Sequence, residues 1–222
     1  MHVVIAGAHG KIGLRLVALL AGRGDTVVGV VRDPAHRADL EAAGAAPAVV
    51  DLEAADADEL APHLRGADAV VFAAGAGPGS GVARKDTVDR AAAVLLADAA
   101  RRAEVHRYLL VSTAGADDPP DPGADEVWAA YLRAKQAAED AVRATDLAWT
   151  VLPPGRLTDD PGTGRVLLAP PPLDAADAAG SVTRDDTAAV LVALLDTPGT
   201  AGLVLELREG EADVLAAVRG LA

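Results

Sequence analysis

Short apolar runs and helical stretches alternate along this chain. Residues 3–6, 26–31, 48–50, 69–73, 108–112 and 148–152 are compact apolar runs set off by Gly, Asp or Arg. Between them, residues 12–21, 34–43, 58–64, about 86–103 and 125–145 place apolar side chains at helical spacing. The strand-like runs carry few alternating polar positions, as expected of strands buried on both faces of a parallel sheet. The expected fold class is therefore α/β: a doubly wound parallel sheet with right-handed crossovers and a ligand crevice at the strand C-termini. Past residue 153 the pattern adds a strand at 166–168, a helix from about 185 to 195, a strand at 203–207 and a terminal helix. No Ser-rich linker or charge block divides the chain, so residues 1–222 read as one domain, with about 153–222 supplying a small substrate-side portion. Loops 75–81, 117–123 and 153–164 are rich in Gly, Pro and Asp and follow predicted strands, which puts them on the ligand side.

Composition narrows the chemistry. No apolar run is long enough to cross a bilayer. The opening MHVVIAGAHG has no basic segment ahead of a long apolar one, so a cytoplasmic protein without a membrane partner is expected. Cysteine is absent, which excludes disulfides, thiolate nucleophiles and Cys-held metals. His2, His9, His36, His63 and His106 are scattered and form no metal pattern. The formal net charge is −13, from 20 Lys and Arg against 33 Asp and Glu, so a nucleic acid would be repelled. An anionic ligand must be held by a local cluster of donors. The only lysines are Lys11, Lys85 and Lys135, and each lies in a segment distinguished on other grounds below, by design or by chance.

Three features carry candidate chemistry. The first is VVIAGAHGKIG, with Gly7, Gly10 and Gly13 in GxxGxxG spacing between a predicted strand and helix. Gly7 permits the tight turn, Gly10 lets the backbone approach a diphosphate, and Gly13 lets the helix pack closely. The helix N-terminus then offers N–H groups to the phosphates, with His9, Lys11 and Ile12 alongside. A purely structural glycine turn would use the same letters. The second is Arg32 at the end of the second strand in TVVGVVRDP, with Arg37 close by. An acidic residue there selects NAD, whereas an Arg accommodates the 2′-phosphate of NADP. Arg32 thus favours NADP(H), although Asp33 offers the opposite choice. The third is Tyr131 and Lys135, four apart on a predicted helix and so on one face. An ammonium beside a phenol lowers its pKa toward neutrality and makes it a usable acid or base. Ser112 and Thr113 end the strand before that helix.

With these motifs the chain resembles the short-chain dehydrogenase/reductase superfamily, in its atypical, extended-like branch of compact NAD(P)-binding Rossmann proteins. The resemblance runs through GAHGKIG, VVRDP, VVDLE, FAAGAG, VSTAG, YLRAK and PPGRLTDDPGTG, essentially the whole chain. It implies that Asp51 and Leu52 flank the adenine, and that Ala73, Ala74 and Gly75 line the path to the nicotinamide ribose. Pro153 and Gly155 join the cofactor set. Tyr131 becomes the acid/base, Lys135 binds the ribose while tuning Tyr131, and Thr113 or Ser112 bonds the substrate carbonyl. Where the superfamily commonly has an Asn, KDTVDRAAAVLLADAA aligns Asp89, which puts an Asn-type proton relay in doubt. The C-terminal part is short beside that of extended sugar-nucleotide epimerases. An NADP(H)-dependent oxidoreductase or epimerase acting on a small molecule is the first reading. A non-catalytic NADP(H) redox sensor, similar to NmrA-like regulators, is the second. The Ala-rich faces of the helices at about 86–103 and 125–145 either cover the sheet or form a homodimer seam.

Overall fold

The computed structural model describes residues 1–77, 79–118, 120 and 123–221. Strands β1 (His2–Ala6), β2 (Thr26–Val31), β3 (Ala46–Val49), β4 (Ala69–Phe72), β5 (Arg107–Val111) and β6 (Ala148–Leu152) are the six expected apolar runs, with ends shifted by a residue or two. The remaining strands are β7 (Arg156–Thr158), β8 (Arg165–Ala169), β9 (Ser181–Thr183), β10 (Leu203–Val204), β11 (Glu206–Glu209) and β12 (Ala212–Asp213). The helices are α1 (Lys11–Gly22), α2 (Arg37–Ala43), α3 (Ala57–Leu60), α4 (Val82–Arg84), α5 (Ala92–Arg102), α6 (Glu126–Arg143), α7 (Ala175–Ala178), α8 (Arg184–Leu195) and α9 (Val214–Arg219). The central sheet runs β10-β6-β5-β4-β1-β2-β3 with every pair parallel. Chain order reverses between β1 and β4, the switch point at which a doubly wound Rossmann sheet opens its crevice.

Each face of the sheet has its own core. Leu16 and Leu20 of α1 and Leu191 and Leu194 of α8 lie with Val3, Ile5, Val71 and Leu109 on one side. Leu96 and the alanines of α5, with Ala138 and Val142 of α6, lie with Val4, Val70, Phe72 and Leu110 on the other. Ala92, Ala93, Ala97, Ala99 and Ala100 are buried inside the chain itself, so the small-residue face of α5 covers the sheet.

The 153–164 segment expected as a loop contains β7; β9, α7 and β12 are additions; and two expected elements are divided. The continuous helix at 86–103 is broken by a π-helical turn over Lys85–Ala91, which buries Lys85, Val88 and Asp89. π-Turns inserted into α-helices are frequent at functional sites. The single strand at 203–207 is two: β10 extends the central sheet beside β6, whereas β11 pairs antiparallel with β8. Pro153 and Pro154 have no N–H with which to prolong β6, and the Leu207 N–H crosses instead to the Pro153 carbonyl at 3.2 Å. Pro78 of the 75–81 loop, and Pro119, Asp121 and Pro122 of the 117–123 loop, lie outside the described residues.

Candidate functional site

Two cavities open along the C-terminal edge of the sheet, and Ala74 and Gly75, just past β4, line both. The smaller, of about 410 Å³, is walled by Gly7, His9 and Gly10 after β1, by Arg32, Asp33 and His36 after β2, and by Asp51, Leu52 and Glu53 after β3. The larger, of about 890 Å³, gathers Ile12, Ala73, Lys85, Asp89, Ser112, Thr113, Trp128, Tyr131, Lys135, Pro154, Gly155 and Arg156.

The glycine turn between them has little room for side chains. Gly7 sits at φ 80°, and a Cβ there would lie 2.5 Å from the Ala74 Cα. A Cβ on Gly13 would lie 2.3 Å from the Gly7 carbonyl oxygen, so α1 starts hard against the turn. Gly10 is the N-cap of α1, with no side chain to bond the first-turn N–H groups and no acid in that turn. A helix start left bare in this way, with its positive dipole end facing the cavity wall, suits a diphosphate.

Past β2 the arrangement differs in part from the sequence reading. Arg32 lines the smaller cavity, where its Nη1 pairs with Glu53 Oε2 at 2.9 Å. Glu53 also accepts from Arg84 Nη2 at 2.8 Å and from the Thr87 hydroxyl at 2.6 Å, which ties β3 to the π-turn. Those bonds, led by Thr87 and Arg84, hold the Glu53 carboxyl below its ordinary pKa. Asp33 caps the turn at Pro34–His36 by accepting from the Ala35 N–H at 2.9 Å through one oxygen, and it lines the smaller cavity beside Arg32. Arg37 is exposed on α2 and does not reach the cavity, and His36 takes that place. His36 stacks on His9 with ring centres 3.6 Å apart, and His9 Nε2 meets Asp39 at 2.8 Å. His9 thus contributes its ring to the wall as well as its backbone. Lys11 lines neither cavity and pairs with Asp159 at 2.5 Å, fastening the 153–164 loop to α1. Pro153 is buried at the end of β6, and its neighbours Pro154 and Gly155 line the larger cavity in its stead.

In the larger cavity Tyr131, Lys135, Thr113 and Asp89 come together. Asp125 caps α6 by accepting from the Val127 and Trp128 N–H groups at 3.0 and 3.1 Å, which sets the register that turns Tyr131 and Lys135 inward. Lys135 Nζ donates to the Val111 carbonyl at 3.2 Å and lies 3.5 Å from Asp89 Oδ1. Asp89 is 1% exposed, and its other oxygen accepts from the Ala76 N–H at 3.2 Å. Burial lowers the Lys135 pKa while Asp89 opposes that fall. Burial pushes the Tyr131 phenol up to about 12, Thr113 beside it pulls the other way, and the Asp89 charge adds to the rise. This reverses the expected tuning of Tyr131 by Lys135. The ammonium lies 5.9 Å from the Tyr131 ring centre and is largely offset by Asp89. Ser112 is bonded to the buried Glu139, which leaves Thr113 as the hydroxyl beside Tyr131. Among the described residues no group of His, Asp and Glu is placed to hold a metal.

A bare helix start at a glycine turn, with one cavity reaching the ends of β2 and β3 and another holding a Tyr–Lys–Thr cluster, is what a nicotinamide dinucleotide requires. A family profile described as NAD(P)H-binding matches residues 7–198. The chain belongs to that family. It is 34% identical over the full length of both chains to a Bacillus subtilis protein named an uncharacterized sugar epimerase, YhfK. Among solved structures, a candidate NAD-dependent epimerase/dehydratase from Bacillus halodurans is similar at a TM-score of 0.90, with 30% identity and all of both chains covered. The oxidoreductase ylbE from Lactococcus lactis is similar at a TM-score of 0.83 and 26% identity, covering 100% of this chain and 96% of that one. As a member of the NAD(P)H-binding family, the protein is an oxidoreductase- or epimerase-like Rossmann domain. No helix among the described residues is long and apolar enough to cross a membrane.

Lys85, His36, Glu53, Arg84, Trp128 and Arg156 line these cavities without having been picked out as site residues from sequence. Lys85 is one of three lysines in an Arg-rich chain, and Glu53 and Arg156 lie within VVDLE and PPGRLTDDPGTG, whereas His36, Arg84 and Trp128 carry no local signal.

Proposed function

We propose that this protein is an NADP(H)-dependent oxidoreductase of short-chain dehydrogenase/reductase type, acting on a small carbonyl or hydroxyl compound. The supporting observation is that Tyr131, Lys135 and Thr113 share one cavity with Ala74 and Gly75, the residues that also line the smaller cavity. When bound, the nicotinamide supplies the hydride that turns a carbonyl into an alkoxide, or takes it back. Tyr131 donates its phenolic proton to the developing alkoxide oxygen, Thr113 bonds that same oxygen, and solvent restores the proton to Tyr131. A phenol raised to about 12 stays protonated at neutral pH, which suits a donor in reduction better than a base in oxidation. Lys135 holds the ribose hydroxyls, and Asp89 holds Lys135. Gly10 and the start of α1 take the diphosphate, Asp51 and Leu52 flank the adenine, and Arg32, with His36 and Arg84 in the same cavity, meets the 2′-phosphate. That last contact is the ground for NADP(H) over NAD(H).

The test is Tyr131→Phe on a substrate found by screening carbonyl compounds for NADPH oxidation. NADPH affinity should hardly change, while turnover falls about a hundred- to ten-thousand-fold. Intact turnover would reduce Tyr131 to a packing residue. NADPH binding with no turnover on any carbonyl compound would instead favour the redox-sensor reading.

A further inference from the structure

Three cations line the larger cavity: Lys85, Lys135 and Arg156. Lys135 is matched by Asp89. Asp125, the other acid on the wall, is engaged in capping α6. Lys85 is only 8% exposed, and its ammonium, with three protons to donate, makes one hydrogen bond among the described residues, to the Gly77 carbonyl at 3.0 Å. It also sits over the Tyr131 ring, 5.3 Å from its centre. Neither Lys85 nor Arg156 has an acid at salt-bridge distance among the described residues, in a chain with 33 acids and a net charge of −13. A buried ammonium without a counter-ion is costly unless something else supplies the charge. Beside it, Trp128, half exposed, lies against Tyr131 with ring centres 5.3 Å apart. Two of the five aromatic side chains of the protein thus form one wall of this cavity.

We infer that the larger cavity takes an anionic substrate, a carboxylate or phosphate on a planar apolar body. Lys85 is the specificity-determining residue that anchors the anion, Arg156 adds a second positive charge to the cavity, and Trp128 covers the apolar part. This rests on the proposed function only in making the larger cavity the substrate's. The anion sits beside Tyr131, so Lys85 fixes which end of the substrate meets the proton donor.

The probes are benzoate, phenyl phosphate and the neutral benzamide, titrated into NADPH-saturated protein by ligand-observed NMR, after calorimetry has established the NADPH affinity on its own. That first titration tests the proposed function separately. One or both anions should bind about ten- to a hundredfold tighter than benzamide, as a charge-assisted contact requires, and the tighter of the two identifies the anion type. Lys85→Met should abolish the preference with NADPH affinity unchanged, and Lys85→Arg should restore it. Benzamide binding as well as both anions, absence of anion binding, a preference that survives Lys85→Met, or a parallel loss of NADPH affinity would each overturn the inference. Should Lys85→Met fail to fold, Arg156→Gln at its exposed position decides: an unchanged preference counts against the proposal, and a severalfold loss supports it.

Discussion

Asp89→Asn removes one charge of a buried pair and leaves the other in place. Asp89 and Lys135 are 1% and 4% exposed, and their charged atoms stand 3.5 Å apart. The amide is nearly the size of the carboxylate and can still accept from the Ala76 N–H, so what is lost is the charge. Breaking a buried pair from one side typically costs about 3–5 kcal/mol. Lys135 keeps its bond to the Val111 carbonyl, which places the cost at the lower end, about 3 kcal/mol. For a chain of this length that corresponds to a fall in Tm of about 6–12 °C. Lys135→Met strands the Asp89 carboxylate and should cost a similar amount. The double variant leaves no unpaired charge and should fall about 3 kcal/mol short of the sum of the two. Urea unfolding of the four proteins, read by circular dichroism, measures the cycle. Additivity within about 0.5 kcal/mol would show that the two side chains are not coupled, and the account of how Lys135 is held would be wrong.

Two other outcomes follow from the same geometry. Glu53→Gln releases Arg32 and Arg84 and removes a negative charge from the smaller cavity, so NADPH should bind about fivefold tighter by calorimetry, as expected for a pair worth about 1 kcal/mol; NADH should change less, and a weaker NADPH would argue that Glu53 itself contacts the cofactor. Burial raises both tyrosines, Tyr131 to about 12 and Tyr108 well above its ordinary value, so ultraviolet titration of the folded protein should show no tyrosinate near pH 10. Unfolded tyrosine titrates near 10, so the stability tied to the Tyr131 phenol is present below that pH and lost as pH climbs toward 12, by up to roughly 3 kcal/mol. Tyr131→Phe should flatten that alkaline decline, whereas a tyrosine ionising below pH 9 would restore Lys135 as the group that tunes it.

How far the fold could be read in advance depended on whether neighbours in sequence decide the structure. Strands 26–31 and 148–152 ended where expected, because their apolar runs are cut off by Arg32 at one and Pro153 at the other. The π-turn at Lys85–Ala91 left no trace in the letters, since an α-helix would show the same apolar positions. The division of 203–207 at Leu205 is set by a change of partner from β6 to β8, which is tertiary information. In the candidate site, the close approach of Gly7 and Gly13 at the turn and the placing of Tyr131 and Lys135 in one cavity are legible in the sequence, because each set lies within one turn or one helix, where spacing decides which residues meet. That Lys11 and Arg37 line neither cavity is not legible in the sequence, because the face of a helix turn that meets the crevice depends on how that helix packs. Lys85, Glu53 and Trp128 reach the site from three separate segments, a convergence no local motif records.

The central claim is that the crevice binds NADP(H) through Arg32. Calorimetric titration of NADPH and NADH into the parent and into Arg32→Ala tests it most directly. The parent should favour NADPH by about ten- to a hundredfold, the worth of a charge-assisted contact to the 2′-phosphate, and Arg32→Ala should erase that preference while leaving NADH affinity almost unchanged. Equal or tighter binding of NADH by the parent, or equal losses of both cofactors in Arg32→Ala, would contradict it.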